Sequence, residues 1–281
     1  MEAQERTIVA LDVDSVKKAK ELVEKLSPRV GCFKIGLEFI NSMLEQLIPQ
    51  PWWGAVSNLS TIRELFELLA GQLFWDGKFN DIPNTVAGAT RAVGKLGVKM
   101  FNVHCLSGME ALIEAKKAAE ETKGERPLVL GVTILTSLNY QNLASMGIVR
   151  DIVYSDEEQQ KKAEQNQIQY LVQNLALLAQ EAGLDGVICS PREIKMLREC
   201  CRPEFLIVTP GIRPAWAAVG DQKRIMTPKE AIEAGADYLV IGRPITNPPD
   251  EIQELGGTIK AAKLIAEEIE EGLEERKKKG V

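Results

Sequence analysis

Short apolar runs alternate with amphipathic segments along the whole chain. Each run is about four to eight residues long and is bounded by glycine, proline or polar residues, which is typical of buried strands. The runs begin at residues 7, 32, 73, 98, 128, 185, 205 and 238. Strands that alternate with helices predict a parallel sheet, and eight such units that close on themselves predict an α/β fold of the (β/α)8 TIM barrel type. A doubly wound open sheet is the alternative, although no GxGxxG motif follows the first run.

Helix signals lie between the predicted strands. Ser15 is the expected N-cap of a helix whose apolar stripe is Ala19, Leu22, Val23 and Leu26. Two further helix starts have capping-box spacing: Ser107 with Glu110, and Ser190 with Glu193. Between the second and third strands we expect an extended helical crossover at about 37–70, with helices at about 37–48 and 61–70. A final helix is expected at about 259–275, so residues 1–281 are predicted to form a single barrel domain.

Composition narrows the classes of function. The chain has 281 residues, the usual size of one α/β barrel, with 45% hydrophobic and 26% charged residues. Its net charge of −6 argues against a general binder of nucleic acid or acidic membranes. No apolar run approaches the roughly 18 residues of a membrane span, and residues 1–6 are too polar for a signal peptide.

The number and spacing of cysteine and histidine residues indicate which metal sites the chain can form and in which cellular compartment we expect it. The cysteines are odd in number and lack paired metal spacing: Cys32, Cys105, Cys189, Cys200 and Cys201. We therefore expect reduced thiols in a cytoplasmic protein rather than disulfides. The single histidine, His104, excludes a histidine-rich metal site, and we expect it to be hydrogen-bonded rather than catalytic.

Polar residues follow several predicted strands, where the active site of such a barrel lies. They are Asp12, Lys34, Asp76, Lys78, His104, Ser137 and Arg213. Asp76 and Lys78 are two residues apart on a strand, so their side chains leave the same face, and Asp81 follows three residues later. Burying these charges is costly unless they pair. They form either a structural ion-pair network or a site in which an ammonium group acts as a general acid.

A second cluster follows the last two strands. Gly211 lies two residues before Arg213 and Gly242 lies directly before Arg243, and in these barrels loops seven and eight often bind phosphate through backbone N–H groups. The glycines could equally serve only as turns. The segment between the clusters, residues 213–224, contains Gln222 and is either a mobile lid over the phosphate or an ordinary surface loop.

Together these motifs resemble the orotidine 5′-phosphate decarboxylase family. The resemblance spans most of the chain and includes a DxKxxDIPNT signature. It is carried by Ala10-Leu11-Asp12, Phe33-Lys34-Ile35-Gly36, Asp76-Gly77-Lys78-Phe79-Asn80-Asp81-Ile82-Pro83-Asn84-Thr85, Thr209-Pro210-Gly211-Ile212-Arg213-Pro214, Gly220-Asp221-Gln222 and Gly242-Arg243-Pro244-Ile245. The chain departs from the family at Gly77, where a bulkier apolar residue is usual, and near Trp52-Trp53, which looks like an insertion.

The resemblance implies a catalytic network of alternating charge. Its members would be Lys34, Asp76, Lys78 and Asp81, with Asp81 and Thr85 contributed across a homodimer interface so that two chains share each active site. Lys78 would stabilise negative charge at C6 of the pyrimidine and then protonate that carbon. Asp76 would lie near the departing carboxylate.

The resemblance also implies how the nucleotide is held. Asp12 and Lys34 would bind ribose hydroxyls, joined by Asp81 and Thr85 of the partner chain. The remaining binding roles fall to Ser137 at the pyrimidine edge, Gln222 between base and phosphate, Gly242 and Arg243 at the phosphate, and Thr136 and Pro210 as pocket neighbours.

The implied reaction converts orotidine 5′-phosphate to UMP and carbon dioxide in pyrimidine biosynthesis, with neither metal nor organic cofactor. One alternative is a related barrel of the 3-keto-gulonate-phosphate decarboxylase or hexulose-phosphate synthase type, a magnesium enzyme with an acidic residue where Lys34 stands. A second alternative is a barrel that binds a sugar phosphate without catalysis.

Overall fold

The computed structural model describes residues 1–47, 52–217 and 226–279, with residues 52–57 described by their backbone alone. Within these residues, eight parallel strands close into a barrel in which each strand pairs with the next and the last pairs with the first. The strands are β1 Thr7–Ala10, β2 Cys32–Gly36, β3 Leu73–Phe79, β4 Met100–His104, β5 Leu128–Val132, β6 Gly186–Ile188, β7 Leu206–Thr209 and β8 Tyr238–Ile241. The predicted (β/α)8 barrel is confirmed, and the open-sheet alternative is wrong.

Helices connect successive strands around the outside of the barrel. In the described parts of the chain they are α1 Val16–Leu26, α2 Leu37–Glu45, α3 Trp52–Leu69, α4 Pro83–Gly94, α5 Met109–Glu120, α6 Tyr140–Ser145, α7 Glu157–Glu181, α8 Ile194–Cys200, α9 Pro228–Ala234, α10 Arg243–Thr246, α11 Asp250–Glu254 and α12 Gly257–Lys279. The crossover between β2 and β3 contains two helices, as expected, but α3 begins at Trp52 rather than near residue 61. The sequence pattern predicts a break in helical structure at residues 49–54; this is wrong for residues 52–54, which are helical, and residues 48–51 lie outside the described residues, as do the side chains of Trp52 and Trp53.

Two helix ends differ from the predictions in instructive ways. Ser107 does not cap the following helix, because α5 begins after Gly108 and the Ser107 hydroxyl donates to Asn80 Oδ1 at 2.8 Å. The N-cap residue is instead Gly108, whose positive φ of 87° favours glycine. The last helix, α12, extends past its expected end near residue 275 and continues through the lysine-rich segment to Lys279. The Lys279 ammonium group lies 3.1 Å from Glu233 Oε2.

Strand side chains alternate between two apolar layers. Those that point into the barrel form a small inner cluster, and those that point outward pack against the helices. The inner cluster contains Ile8, Ala10, Cys32, Phe74, Met100, Leu130, Val208, Tyr238 and Val240. Because these side chains fill the barrel, the space available to a ligand lies above them, at the carboxyl ends of the strands.

Two carboxylates fasten the opposite, amino-terminal rim of the barrel. Asp185, just before β6, accepts hydrogen bonds from Arg126 at 2.8 and 2.9 Å and from the Val129 N–H at 2.8 Å. Asp237, just before β8, accepts the Ile207 N–H at 2.8 Å. Burial pushes the pKa of Asp185 upward, but its hydrogen bonds from Arg126 and Val129 outweigh burial and hold the pKa below its usual value. This rim therefore contributes stability at neutral pH.

All five cysteines are free thiols, as predicted. Cys32, Cys105 and Cys189 are almost completely inaccessible to solvent. Burial raises the pKa of both Cys32 and Cys105 to about 12 and that of Cys189 well above its usual value. Thiols in this state are poor nucleophiles.

None of the helices in the described ranges is long and apolar enough to cross a membrane.

Candidate active site

The carboxyl ends of β2 and β3 bring Lys34, Asp76 and Lys78 together, as the sequence predicts. Lys34 Nζ lies 3.3 Å from Asp76 Oδ2, and Lys78 Nζ lies 2.7 Å from Asp76 Oδ1. Lys34 Nζ also lies 3.2 Å from Asp12 Oδ1, at the end of the neighbouring strand β1. These four side chains alternate in charge across three strand ends, and we call them the charged line. Positive Lys34 lies between two carboxylates, and Asp76 lies between two ammonium groups.

Asp76 is the most constrained member of this line. It is only 7% exposed, so its carboxylate has lost most of its contact with water. Asn102 Nδ2 donates to Asp76 Oδ1 at 2.6 Å, in addition to the two lysines. Three donors around one carboxylate offset its desolvation, and removing one partner of such a buried group costs about 3–5 kcal/mol.

The end of β3 departs from regular strand geometry. Its register with β4 shifts between Trp75 and Phe79, which is the position of a β-bulge. Within the bulge Lys78 has φ of 46°, the only positive φ among the described residues other than glycine. A lysine in this region costs on the order of 1 kcal/mol, which the surrounding contacts must offset. Bulges redirect side chains next to active sites, and this one carries the lysine of the charged line.

Gly77 lies between the two charged residues of the bulge. A Cβ atom at this position would lie 2.7 Å from Trp75 Nε1 and 3.0 Å from Phe79 Cε1. The absence of a side chain therefore lets Trp75 and Phe79 close over the bulge. This gives a structural reason for the departure from the family pattern at Gly77.

A cavity of about 170 Å³ opens beside the charged line. Lys34, Asp76 and Lys78 form its polar wall, and the predicted pocket neighbours Thr136 and Pro210 also line it. The remaining walls are mainly apolar and come from Phe74, Val132, Ile134, Leu135, Ile188, Cys189 and Val240. An apolar cavity with a few convergent charged groups is the usual form of a small-molecule site.

Other predicted residues lie outside this cavity in a single chain. Ser137 is exposed next to Thr136, and Asp12 keeps about half of its side chain in solvent. Asp81 and Thr85 are exposed at the start of α4, where Asp81 Oδ1 accepts the Ile82 N–H at 2.7 Å. The structure therefore does not join Asp81 to Lys78 within one chain.

The predicted phosphate cluster lies at the same end of the barrel. Gly242 follows β8 and precedes α10, and Arg243 is exposed in the first turn of that helix. Arg213 is instead buried after β7, where its backbone N–H donates to Met226 O at 3.0 Å. Gln222 lies outside the described residues.

His104 ends β4 beside the charged line. Burial and the positive charge of Lys78 lower its pKa, against a smaller opposite effect of Asp76, which favours the neutral imidazole at physiological pH. Its buried Nδ1 has no hydrogen-bond partner within the described structure. The expectation that His104 is a fully satisfied hydrogen-bonding residue is therefore wrong for this nitrogen.

Asn102 is the site residue that the sequence analysis missed. It lies inside the apolar run of β4, two residues after Met100, so strand alternation turns both side chains toward the barrel interior. The signal that could have found it is a single amide within an otherwise apolar strand, because a buried amide requires partners.

The chain is similar in sequence to a known protein family. The sequence model described as the orotidine 5′-phosphate decarboxylase / HUMPS family matches residues 5–256. The chain belongs to this family. The resemblance seen in its motifs is thus confirmed.

Individual members of the orotidine 5′-phosphate decarboxylase family match nearly the full chain. The protein of that name from Trichlorobacter lovleyi is 44% identical over 275 residues, which cover 97% of this chain and 98% of the relative. The one from Moorella thermoacetica is 45% identical over 276 residues, covering 96% and 94% of the two chains. The crystal structure of orotidine 5′-phosphate decarboxylase from Lactobacillus acidophilus is similar with a TM-score of 0.70 and 31% identity, covering 94% of this chain and 98% of that one.

Proposed function

We propose that this protein converts orotidine 5′-phosphate to UMP and carbon dioxide, a reaction of pyrimidine biosynthesis. Its family makes it a carboxy-lyase. The observation that carries the proposal is the line of alternating charge from Asp12 through Lys34 and Asp76 to Lys78, three members of which form one wall of the cavity. A structural ion-pair network would not require an open cavity beside it.

The proposed reaction needs a general acid that protonates C6 of the pyrimidine. When the bond from C6 of the pyrimidine to its carboxylate breaks, the electron pair stays on C6 and carbon dioxide leaves. The Lys78 ammonium stabilises this developing negative charge and then gives its proton to C6. Because Lys78 Nζ is held 2.7 Å from Asp76 Oδ1, it needs little reorganisation during the reaction.

Asp76 has two proposed roles in this mechanism. It holds Lys34 and Lys78 through its two oxygens, and it lies near the position of the departing carboxylate. These contacts accelerate the reaction only to the extent that they are stronger in the transition state than in the bound substrate.

The rest of the nucleotide is proposed to bind across the barrel mouth. Asp12 and Lys34 would hold the ribose hydroxyls. The other proposed contacts are Ser137 and Thr136 at the base, Pro210 at the cavity rim, Gln222 between base and phosphate, and Gly242 with Arg243 at the phosphate. Pro210 supports this arrangement, because it follows β7 and yet lines the same cavity as Lys78.

We further propose a homodimer in which each chain completes the other's site. Asp81 and Thr85 are exposed and do not line the cavity of their own chain, and the Ile82 side chain between them is 67% exposed. The hydrogen bond from the Ile82 N–H holds Asp81 in place at this surface. A partner chain would cover the apolar side chain and receive Asp81 next to its own Lys78.

No metal or organic cofactor enters the proposed mechanism. The Lys34 ammonium lies 3.2 and 3.3 Å from Asp12 and Asp76, in the position where a divalent cation would need both carboxylates. Across the described residues, no three His, Cys, Asp or Glu side chains are grouped to hold a metal ion. We also propose a cytoplasmic location, where reducing conditions keep the five cysteines as free thiols.

The test is a spectrophotometric decarboxylation assay on orotidine 5′-phosphate, run with and without excess EDTA. We expect the pyrimidine absorbance to change at the same rate in both conditions. A strict requirement for magnesium would instead favour the 3-keto-gulonate-phosphate decarboxylase or hexulose-phosphate synthase type. Folded protein that binds UMP without any absorbance change would favour a barrel that binds without catalysis.

A further inference from the structure

We infer that Asn102 is a positioning residue that holds Lys78 and Asp76 in their reactive geometry. The inference rests on the proposed function, because it assigns a role in the chemistry of Lys78. Asn102 does not line the cavity and is completely buried, so it acts through its two neighbours rather than on the substrate.

The two hydrogen bonds of Asn102 run in opposite directions. Its Oδ1 accepts the backbone N–H of Lys78 at 2.7 Å, and its Nδ2 donates to Asp76 Oδ1 at 2.6 Å. A backbone N–H can only donate and a carboxylate only accepts, so both partners require the same amide orientation. Leucine would satisfy neither partner, and aspartate would place an acceptor against an acceptor. Asparagine therefore fits this position by chemistry as well as by size.

The first bond secures the bulge. The β3–β4 register is interrupted between Trp75 and Phe79, and within this interruption the Lys78 N–H donates to Asn102 Oδ1. This bond thus holds the one lysine whose φ of 46° is unfavourable. Without it we expect Lys78 to relax toward extended backbone, which would move its ammonium group away from the cavity. Displacements of about 1 Å at a reacting group lower rates by about 100-fold.

The second bond holds the carboxylate that contacts the Lys78 ammonium group. Asp76 Oδ1 accepts both Asn102 Nδ2 and Lys78 Nζ, while Oδ2 faces Lys34. A donor on Oδ1 offsets part of the cost of burying this carboxylate. Asn102 therefore fixes the orientation of Oδ1 and, through it, the position of the Lys78 ammonium group.

The decisive variant is Asn102→Asp, assayed across pH with orotidine 5′-phosphate. At low pH the new carboxyl group at position 102 and Asp76 share a proton, and the resulting O–H···O hydrogen bond replaces the one from the amide. At high pH both groups are ionised and the two adjacent carboxylates repel each other. We expect kcat relative to that of the unsubstituted protein to fall by about 10-fold or more as pH rises from about 5 to 9. A merely structural role would lower kcat without this pH dependence, so a constant ratio would overturn the inference.

Asn102→Leu removes both bonds and keeps the branching and the number of non-hydrogen atoms of the side chain. We expect kcat to fall about 10–100-fold while KM changes by less than about threefold. The matched control is Val103→Ala on the same strand, whose side chain points outward into the layer between strands and helices. It weakens strand packing and should leave kcat within about twofold. An Asn102→Leu variant with nearly unchanged kcat would contradict the assignment.

The Lys78 amide signal in an NMR spectrum separates this inference from the proposed function. A short hydrogen bond to Asn102 shifts this amide proton downfield, and Asn102→Leu should remove the shift, while Val103→Ala should retain it. If the unsubstituted protein fails to turn over orotidine 5′-phosphate but shows this pattern, the proposed function fails and the positioning of Lys78 stands. An unshifted Lys78 amide in the unsubstituted protein would refute the hydrogen bond itself.

Discussion

At the scale of single residues, the site depends on one carboxylate with three donors. Asp76 binds Lys34, Lys78 and Asn102 at distances of 2.6 to 3.3 Å. This arrangement keeps two ammonium groups close together that would otherwise repel each other. The residues of the charged line therefore depend on one another, and the effects of substitutions within it on activity should not be additive.

Lys78→Ala should reduce turnover of orotidine 5′-phosphate by at least about 1,000-fold, because it removes the group proposed as both the acid and the stabilising charge. The affinity for UMP should change far less, since in the proposed mechanism Lys78 interacts most strongly with charge that exists only during the reaction. Steady-state kinetics and equilibrium binding of UMP test the two expectations. Lys117→Ala, at an exposed lysine of α5, is the control, and near-normal turnover of Lys78→Ala would remove Lys78 as the acid.

Gly77→Ala should destabilise the protein by about 1–3 kcal/mol, because its Cβ would meet Trp75 Nε1 at 2.7 Å and Phe79 Cε1 at 3.0 Å. Gly88→Ala in α4 is the matched control, since no atom lies within 4 Å of the added carbon. That control should be neutral or more stable by up to about 1 kcal/mol. Urea unfolding curves compare the two, and equal stabilities would argue against close packing over the bulge.

At the scale of secondary structure, the strand pattern was predictable and the local irregularities were not. The apolar runs and the polar residues that follow them predict the positions of Lys34 and Asp76 correctly. Burial explains both the runs and their ends, because buried strands are apolar and polar side chains collect where the strands end. Asn102 escaped notice because it lies within an apolar run and its partner Asp76 is 26 positions away. The bulge at Lys78 depends on cross-strand contacts that the local sequence does not specify. The roles of Asp81 and Thr85 stay predictions, because they concern a second chain.

Helices α9 and α12 meet at a cluster of acidic side chains. Burial, together with repulsion from Glu271 and Glu230, raises the pKa of Glu268 to about 7, although Lys229 opposes this effect. The folded state therefore favours the protonated carboxyl group. Stability from this group is fully present below about pH 4.5 and is lost as pH rises through about 7.

Glu268→Gln removes this pH dependence. We expect the variant to match the unsubstituted protein below pH 4.5 and to be more stable by about 1 kcal/mol at pH 8, a modest gain because Glu268 is partly exposed. Thermal unfolding at both pH values provides the measurement. The neighbouring Glu267→Gln, at an exposed residue 3.8 Å from Lys263, should change stability by less than about 0.5 kcal/mol. A gain from Glu268→Gln that is equal at both pH values would contradict the assigned cause.

At the scale of the whole molecule, the question is whether one chain makes a complete site. The cavity of a single chain contains Lys34, Asp76 and Lys78 but not Asp81. A symmetric dimer would place the same surface of each chain over the other's barrel mouth.

Mixing Lys78→Ala with Asp81→Ala subunits tests this arrangement. With shared sites, each mixed dimer has one site with both substitutions and one with neither. Random reassociation of equal amounts should therefore restore about a quarter of the full activity, although each variant is inactive alone. Subunit exchange must be verified by mass spectrometry of intact dimers. Confirmed mixed dimers without activity would show that Asp81 serves its own chain.

The buried thiols of the barrel offer a way to observe how it opens. Cys32 belongs to β2, Cys105 follows β4 and Cys189 follows β6, so they sample three separate sectors of the wall. Because solvent hardly reaches them in the folded state, an alkylating reagent modifies Cys32 and Cys105 only when their sectors expose them, whereas Cys189 also lines the cavity beside Lys78. Equal alkylation rates at Cys32 and Cys105 would indicate concerted opening of the wall, and unequal rates would identify which of their sectors separates first.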